Sequence, residues 1–186
     1  MMWRTSAFLC LSLFVSATAL GAEKEGIRLP DSTSVGEKSL ALNGLGVREA
    51  TVFNVNVYVA GLYLETKSSD PAQILATEQA WRLDLVFVRD VDRGDIVKAW
   101  TDGFKKNGAD MAALRERIGQ LNAWMTDINE GQILTFVYQP GVGLTTTVKG
   151  AVRGPIVGAD FGHAMLAIWL GPKPPNGGLK KGLLGK

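Results

Sequence analysis

Apolar and polar residues alternate with period two through KSLALNG at 38–44 and again through VREATVFNVNVYVAGLYLE at 47–65. That period places successive side chains on opposite faces of a sheet. The glycines of NGLG, 43–46, separate the two runs and predict the turn of a hairpin. Gly61 within the second run predicts a bulge or a close backbone approach, and a bulge there would account for Leu62 and Leu64 breaking the earlier parity. Ahead of it, Phe53, Val55, Val57 and Val59 share one face, while Asn54, Asn56 and Tyr58 share the other with Arg48. The valine face reads as core. The opposite face, with two amides, a phenol and a guanidinium, must meet water, a partner or a ligand.

The remaining elements follow from helical spacing and from punctuation. Residues up to about Gly36 read as a short polar lead. SSDPAQILATE predicts a helix start with Asp70 as N-cap and Pro71 at the first helical position. WRLDLVFVRD returns to strand character. DRGDIVKAWTDGFKKNG places Ile96, Val97, Trp100 and Phe104 on one helix face and ends at Asn107-Gly108. DMAALRERIGQLNAWMTDI repeats that period through Met111, Leu114, Ile118, Leu121 and Met125, with Asp110 as cap. QILTFVYQPGVGLTTTVKGAVRG contains two alternating runs joined by PGVG, which predicts a hairpin. GADFGHAMLAIWLG predicts a last long helix, stopped by Gly171 and by PKPPNGG, and LKKGLLG adds a docked turn through Leu179, Leu183 and Leu184. Strands, two helices, strands and a helix make an α+β order, an antiparallel sheet with helices layered on one side.

The opening MMWRTSAFLCLSLFVSATALGA changes the compartment expected. Arg4, an apolar run from Ala7 to Val15 and small residues at Ala17 and Ala19 have the form of a secretory signal peptide over residues 1–22, cleaved after Ala19 or Ala22. The run is far shorter than the ~20 residues that span a bilayer, so the expectation is a soluble protein that is periplasmic or otherwise secreted. Cleavage removes Cys10, the one cysteine. The mature chain is then a single domain, residues 23–186, held by packing with no disulfide to help, at a length of about 165 residues that buries about two thirds of the unfolded surface. The net charge of +2, with acids and bases interspersed, gives no sign of nucleic-acid binding.

Several chemistries have no residues to run on. GLGVRE at 44–49 lacks the third glycine of a dinucleotide fingerprint and leads into a strand. With His163 the sole histidine, a dedicated zinc site or a Ser-His-Asp triad has too few parts, and no metal site is expected. What remains is Arg48 with Asn54, Asn56 and Tyr58. A guanidinium holds a carboxylate or a developing oxyanion, and a phenol donates to a carbonyl. The same face also reads as an ordinary wet sheet surface. Trp100, Trp124 and Trp169 lie at core spacing, with an aromatic pocket lining as the other reading.

LNGLGVREATVFNVNVYVAGLYLE and, near the end, IVGADFGHAMLAIWLGPKPPNGGLKKGLLG together resemble the chalcone isomerase-like family in its bacterial exported branch. The resemblance covers nearly all of the chain after the leader. It implies an open-faced β-sandwich, with a large antiparallel sheet and a layer of helices enclosing a cleft. Plant enzymes of the family cyclise a chalcone to a flavanone, and Arg48 matches their strand arginine. The sequence departs from them elsewhere. Tyr58 stands where a threonine is expected, Asp95 and Asp102 flank Lys98 where a tyrosine and an asparagine are expected, and Ile168 falls near a hydroxyl position. Other members bind fatty acids or haem. The resemblance therefore implies a non-catalytic protein that holds a small apolar carboxylate through Arg48, with no cofactor unless the ligand is haem, for which His163 or Tyr58 is the candidate axial donor. An isomerase acting on an unknown enone through Arg48 and Lys98, and an accessory protein with a vestigial cleft, are the alternatives.

Overall fold

Residues 21–50 and 55–186 are described by the structure, a computed structural model. Residues 1–20, where a leader is expected, and Phe53 and Asn54 lie outside the described residues. The first strands form a hairpin, β1 (Ala22–Lys24) with β2 (Ile27–Leu29), followed by β3 (Ser32–Val35) and the long strands β4 (Lys38–Ala50) and β5 (Val55–Leu64). Then come α1 (Pro71–Ala76), β6 (Trp81–Phe87), α2 (Arg93–Lys106) and α3 (Arg115–Trp124). β7 (Ile133–Gln139), β8 (Gly143–Val148), β9 (Ala151–Ile156), α4 (Ala159–Leu170) and α5 (Gly177–Leu183) complete the chain. β3 to β9 pair in sequence order as one antiparallel meander. The α+β order expected from the sequence is the order observed, and the 22–35 lead carries three short strands that its polar composition concealed.

The helices pack on one face of this sheet. Trp81, Leu83, Leu85 and Phe87 of β6 and Leu134, Phe136 and Tyr138 of β7 point into that layer, where they meet Ile96, Trp100 and Phe104 of α2 and most of the apolar face of α4. Asp70 caps α1 through its carboxylate and the Ala72 amide, at 2.9 Å. Asp110 accepts from Ala112 and Ala113 at 3.0 Å each, capping an irregular turn from which α3 emerges four residues later than the cap suggests. No helix among the described residues is long and apolar enough to cross a membrane.

Two expectations about β4 and β5 are corrected. NGLG is no turn: β4 runs through it to Ala50, and β5 begins at Val55. The glycines serve a different purpose. A Cβ on Gly44 would lie 2.2 Å from the Gly182 carbonyl oxygen, and one on Gly46 would lie 2.3 Å from that of Leu179. Bare backbone at these positions lets α5 lie directly on the strand, with Leu179, Leu183 and Leu184 buried as the C-terminal pattern predicts. Gly61 is no bulge either. It pairs in register with Leu45 and Asp84, and a Cβ there would meet the Leu29 methyl at 2.4 Å, so the close approach is the reason for the glycine.

The irregularity lies further up β5, where Tyr58 pairs with Arg48 but Asn56 pairs with Glu49, leaving Val57 without a partner on β4. The extra residue reverses the parity before it. Tyr58, Ala60, Leu62 and Leu64 all face the helices, and Val59 and Tyr63 on the other face are fully buried too, so β5 has no wet side beyond its bulge.

Candidate functional site

At the end of the helical layer nearest this bulge, sheet and helices separate into a cleft of about 590 Å³. One wall is Arg48, Val57, Tyr58 and Phe87 of the sheet, the other is the Ile96–Lys106 side of α2, and Lys173-Pro174-Pro175 closes the side between α4 and α5. Two asparagines hold that last wall in place. Asn107, which terminates α2, donates to the Lys173 carbonyl at 3.1 Å and accepts from the Lys173 amide at 2.9 Å. Asn176 donates to the Val47 carbonyl at 3.1 Å and accepts from the Glu49 amide at 3.4 Å. The loop after α4 is thereby fixed to α2 at one end and to β4 at the other.

Arg48 and Tyr58 come together here, because cross-strand partners share a face. Arg48 is half-buried, donates to the Glu49 carbonyl, and has no carboxylate within ion-pair distance among the described residues. Tyr58 is 5 % exposed, and its oxygen accepts from Trp169 Nε1 at 3.0 Å. Burial pushes its pKa up to about 12, against smaller lowering effects of the Trp169 hydrogen bond and the Arg48 charge. The phenol is a neutral donor at physiological pH. Asn56 does not join them: the bulge turns it to the other side of the sheet, where it donates to Glu25 at 3.3 Å. Val57, expected in the core with the other valines, lines the cleft in its stead.

Lys98 lies on the exposed rim and donates to Asp102 at 2.7 Å, a contact that raises the lysine pKa and lowers that of the aspartate. Asp95 shares that rim, and Ile168 lies across the cleft on α4. Arg89, Lys106 and Lys173 add cations to the mouth. Sequence reasoning did not single out these three, since exposed lysines and arginines carry no periodic signal. Trp100 is the buried residue it assigned mainly to the core. Trp100 is packed against Phe136 and Trp169, yet it also lines the cleft, and its indole nitrogen has no hydrogen-bond partner among the described residues. An unsatisfied buried donor costs ~1–3 kcal/mol, which makes it a notable feature of this wall.

His163 is elsewhere. Its Nε2 lies 3.1 Å from Glu78 and its ring 6.1 Å from that of Tyr138, outside the cleft lining. A haem seated between Arg48 and α2 would find no axial donor in His163, and the oxygen of Tyr58 is already engaged by Trp169. The residues present do not fit that group.

An antiparallel meander covered on one face by helices, with a cleft opening at one end of the layer, defines an open-faced β-sandwich. A chalcone isomerase-like family model matches residues 21–185, and the chain belongs to that family. No curated protein matches the sequence. Among solved structures, the chain is similar to a fatty-acid binding protein of Arabidopsis thaliana, with a TM-score of 0.65 and 17 % identity over 86 % of this chain and 92 % of that one. At that identity the likeness is one of fold.

Proposed function

We propose that this is an exported, non-catalytic carrier of a carboxylate-bearing apolar molecule, a fatty acid first. The observation that carries the reading is Arg48, a guanidinium without a carboxylate partner among the described residues, set beside the Tyr58 phenol above an apolar floor of Phe87, Ile96 and Ile168. A cation in such surroundings favours a ligand that brings a counter-charge, and a fatty acid supplies one at the end of a chain the apolar walls accept. The fatty-acid binding protein of similar fold supports the same choice. Catalysis has less to work with, because Lys98 is tied to Asp102 at the rim and the buried walls offer no carboxylate or imidazole as a base.

Export rests on the leader. Cleavage after Ala19 would keep β1 whole, whereas cleavage after Ala22 would remove its first rung, Ala22 opposite Leu29, so the earlier site is favoured. Native mass spectrometry of protein purified from its own host tests both parts. The expected result is a mature chain beginning at Leu20 with a co-purifying lipid mass that Arg48→Ala abolishes. A chain still carrying Met1 overturns export, and a protein that neither retains nor takes up dodecanoate overturns the carrier reading. Chalcone cyclisation well above the spontaneous rate would restore the isomerase alternative.

A further inference from the structure

Positive charge is concentrated at one corner of the molecule. Phe161–Lys186 holds four lysines, Lys173, Lys180, Lys181 and Lys186, and no acid, although the whole chain carries a net charge of only +2. The fold brings the end of α2 to them. Asn107 directly follows Lys105 and Lys106 and is bonded to both backbone groups of Lys173, and Lys180 Nζ donates to the Gly171 carbonyl at 2.8 Å. Lys105, Lys106, Lys173, Lys180 and Lys181 have no carboxylate within ion-pair distance among the described residues. A helix end attracts cations, and α2 and α5 each place two lysines in their last turn, so either pair alone is ordinary. Their convergence with Lys173 beside one opening is required by neither helix.

We propose that the protein docks on an anionic lipid surface through this corner, with the cleft mouth against the bilayer, and exchanges its cargo there. Lys106 and Lys173 line the cleft, so the basic corner and the opening belong to one surface. Ala50, Pro174 and Pro175 line the same mouth, and the exposed Val55 pairs with Ala50, which gives an interface apolar contact beside the charge. The acids of the mouth lie mostly elsewhere. Asp92 caps α2 and Asp95 lies in its first turn, ~20 Å along the axis from Lys105 and Lys106. Screening acts over about 8 Å at physiological salt, so those acids leave the basic end uncancelled. Asp102 is held by Lys98, and Glu49 borders the corner from β4. The five cations are all lysine. An ammonium is a point charge without the fork that fits one carboxylate, which suits the diffuse potential of a membrane better than a shaped acidic protein. The proposal rests on the carrier reading for its cargo and adds the place where that cargo is exchanged.

Co-sedimentation of the mature chain with phosphatidylglycerol vesicles and with phosphatidylcholine vesicles tests the contact. The expected result is binding to the first and little to the second, weakened by added salt. Lys105→Gln with Lys181→Gln, two exposed residues outside the cleft lining, should lower vesicle affinity ~10-fold or more, since each lysine near an anionic surface is worth ~5-fold. Arg115→Gln with Lys149→Gln removes the same charge from the opposite edge of the sheet, where α3 meets β9, and should leave vesicle affinity unchanged. Equal binding to both vesicle types, or an equal loss in the two double variants, overturns the docking. Cargo exchange is read with cis-parinarate, a fluorescent fatty acid, passing from loaded protein to phosphatidylglycerol vesicles. Its transfer rate should rise with vesicle concentration, and a rate independent of vesicle concentration overturns exchange at the surface. Parinarate binding without vesicles should be the same in the native chain and in Lys105→Gln with Lys181→Gln. A native chain that sediments with phosphatidylglycerol vesicles but binds no parinarate overturns the carrier reading and leaves the docking standing.

Discussion

Tyr58 and Tyr138 occupy equivalent places at opposite ends of β6, Tyr58 opposite Phe87 and Tyr138 opposite Trp81, both on the helix-covered face. Each is buried, and each rests on its aromatic neighbour, with ring centroids 5.5 Å and 5.9 Å apart. Their partners differ in polarity. Tyr138 donates to Glu78, and burial together with that carboxylate raises its pKa. Tyr58 instead receives a hydrogen from Trp169. At the Tyr138 end a donor meets an acceptor, and the layer is sealed. At the Tyr58 end the phenol oxygen serves as the acceptor, and the layer opens into the cleft. One residue type on one sheet face becomes structural or receptive according to what the neighbouring helix offers it.

Arg48→Met tests the receptive end most severely. It is expected to lower dodecanoate affinity by ~10- to 100-fold, the range set by a hydrogen bond to a charged group, while the melting temperature stays unchanged. A large loss of stability would show Arg48 to be structural. Gly162→Ala attacks the sealed end, since its Cβ would lie 2.4 Å from the Tyr138 ring. Overpacking of this kind costs ~1–3 kcal/mol, to be read by urea denaturation, and dodecanoate affinity should not move. If affinity falls in proportion, the two ends are coupled.

Tyr58→Phe and Tyr138→Phe sharpen the contrast on a smaller scale. The first leaves the buried Trp169 N–H without its acceptor, for an expected loss of ~1–2 kcal/mol. The second leaves Glu78 half-exposed and free to hydrate, so a loss of about 0.5–1 kcal/mol is expected, as for an ordinary hydrogen bond. Reversal of that order would mean that Glu78 and His163 hold α4 more firmly than their exposure implies.

Alkaline titration probes the Tyr58 end by a different route. The folded state raises the Tyr58 pKa from 10.0 to about 12 and so binds the proton more tightly than the unfolded chain. The associated stability is complete below pH 10 and is lost as pH rises toward 12, with a slope of at most about 1.4 kcal/mol per pH unit for one group. Tyr63, raised to about 12 by burial and by Asp84, behaves alike. Tyr58→Phe should therefore lessen the alkaline loss without removing it, as followed by urea midpoints across that range.

Periodic elements were legible in the sequence because burial writes them there. The α2 stripe of Ile96, Trp100 and Phe104, the Asp70-Pro71 start of α1 and the Gly171 stop of α4 all stand where local chemistry puts them. β1, β2 and β3 were not legible, since short and largely exposed strands leave no apolar alternation. NGLG misled because a glycine needed for helix-on-strand contact looks the same in sequence as one needed for a turn. In the site, Arg48 and Tyr58 were found together through parity, and Asn56 was misplaced by the same rule, because a bulge between bonded strands has no signature in one strand alone. Trp100 was hidden by its spacing: a core position and a cleft floor are the same position when the cleft is roofed by the helix that carries it.

The loop held by Asn107 and Asn176 reads Pro172-Lys173-Pro174-Pro175. Proline has little backbone freedom to lose. A wall so stiff and so fastened does not need to swing for a ligand to pass. Exchange should then be limited by diffusion to the mouth and by escape from it, giving a single-exponential association phase whose rate rises linearly with ligand concentration and never reaches a plateau.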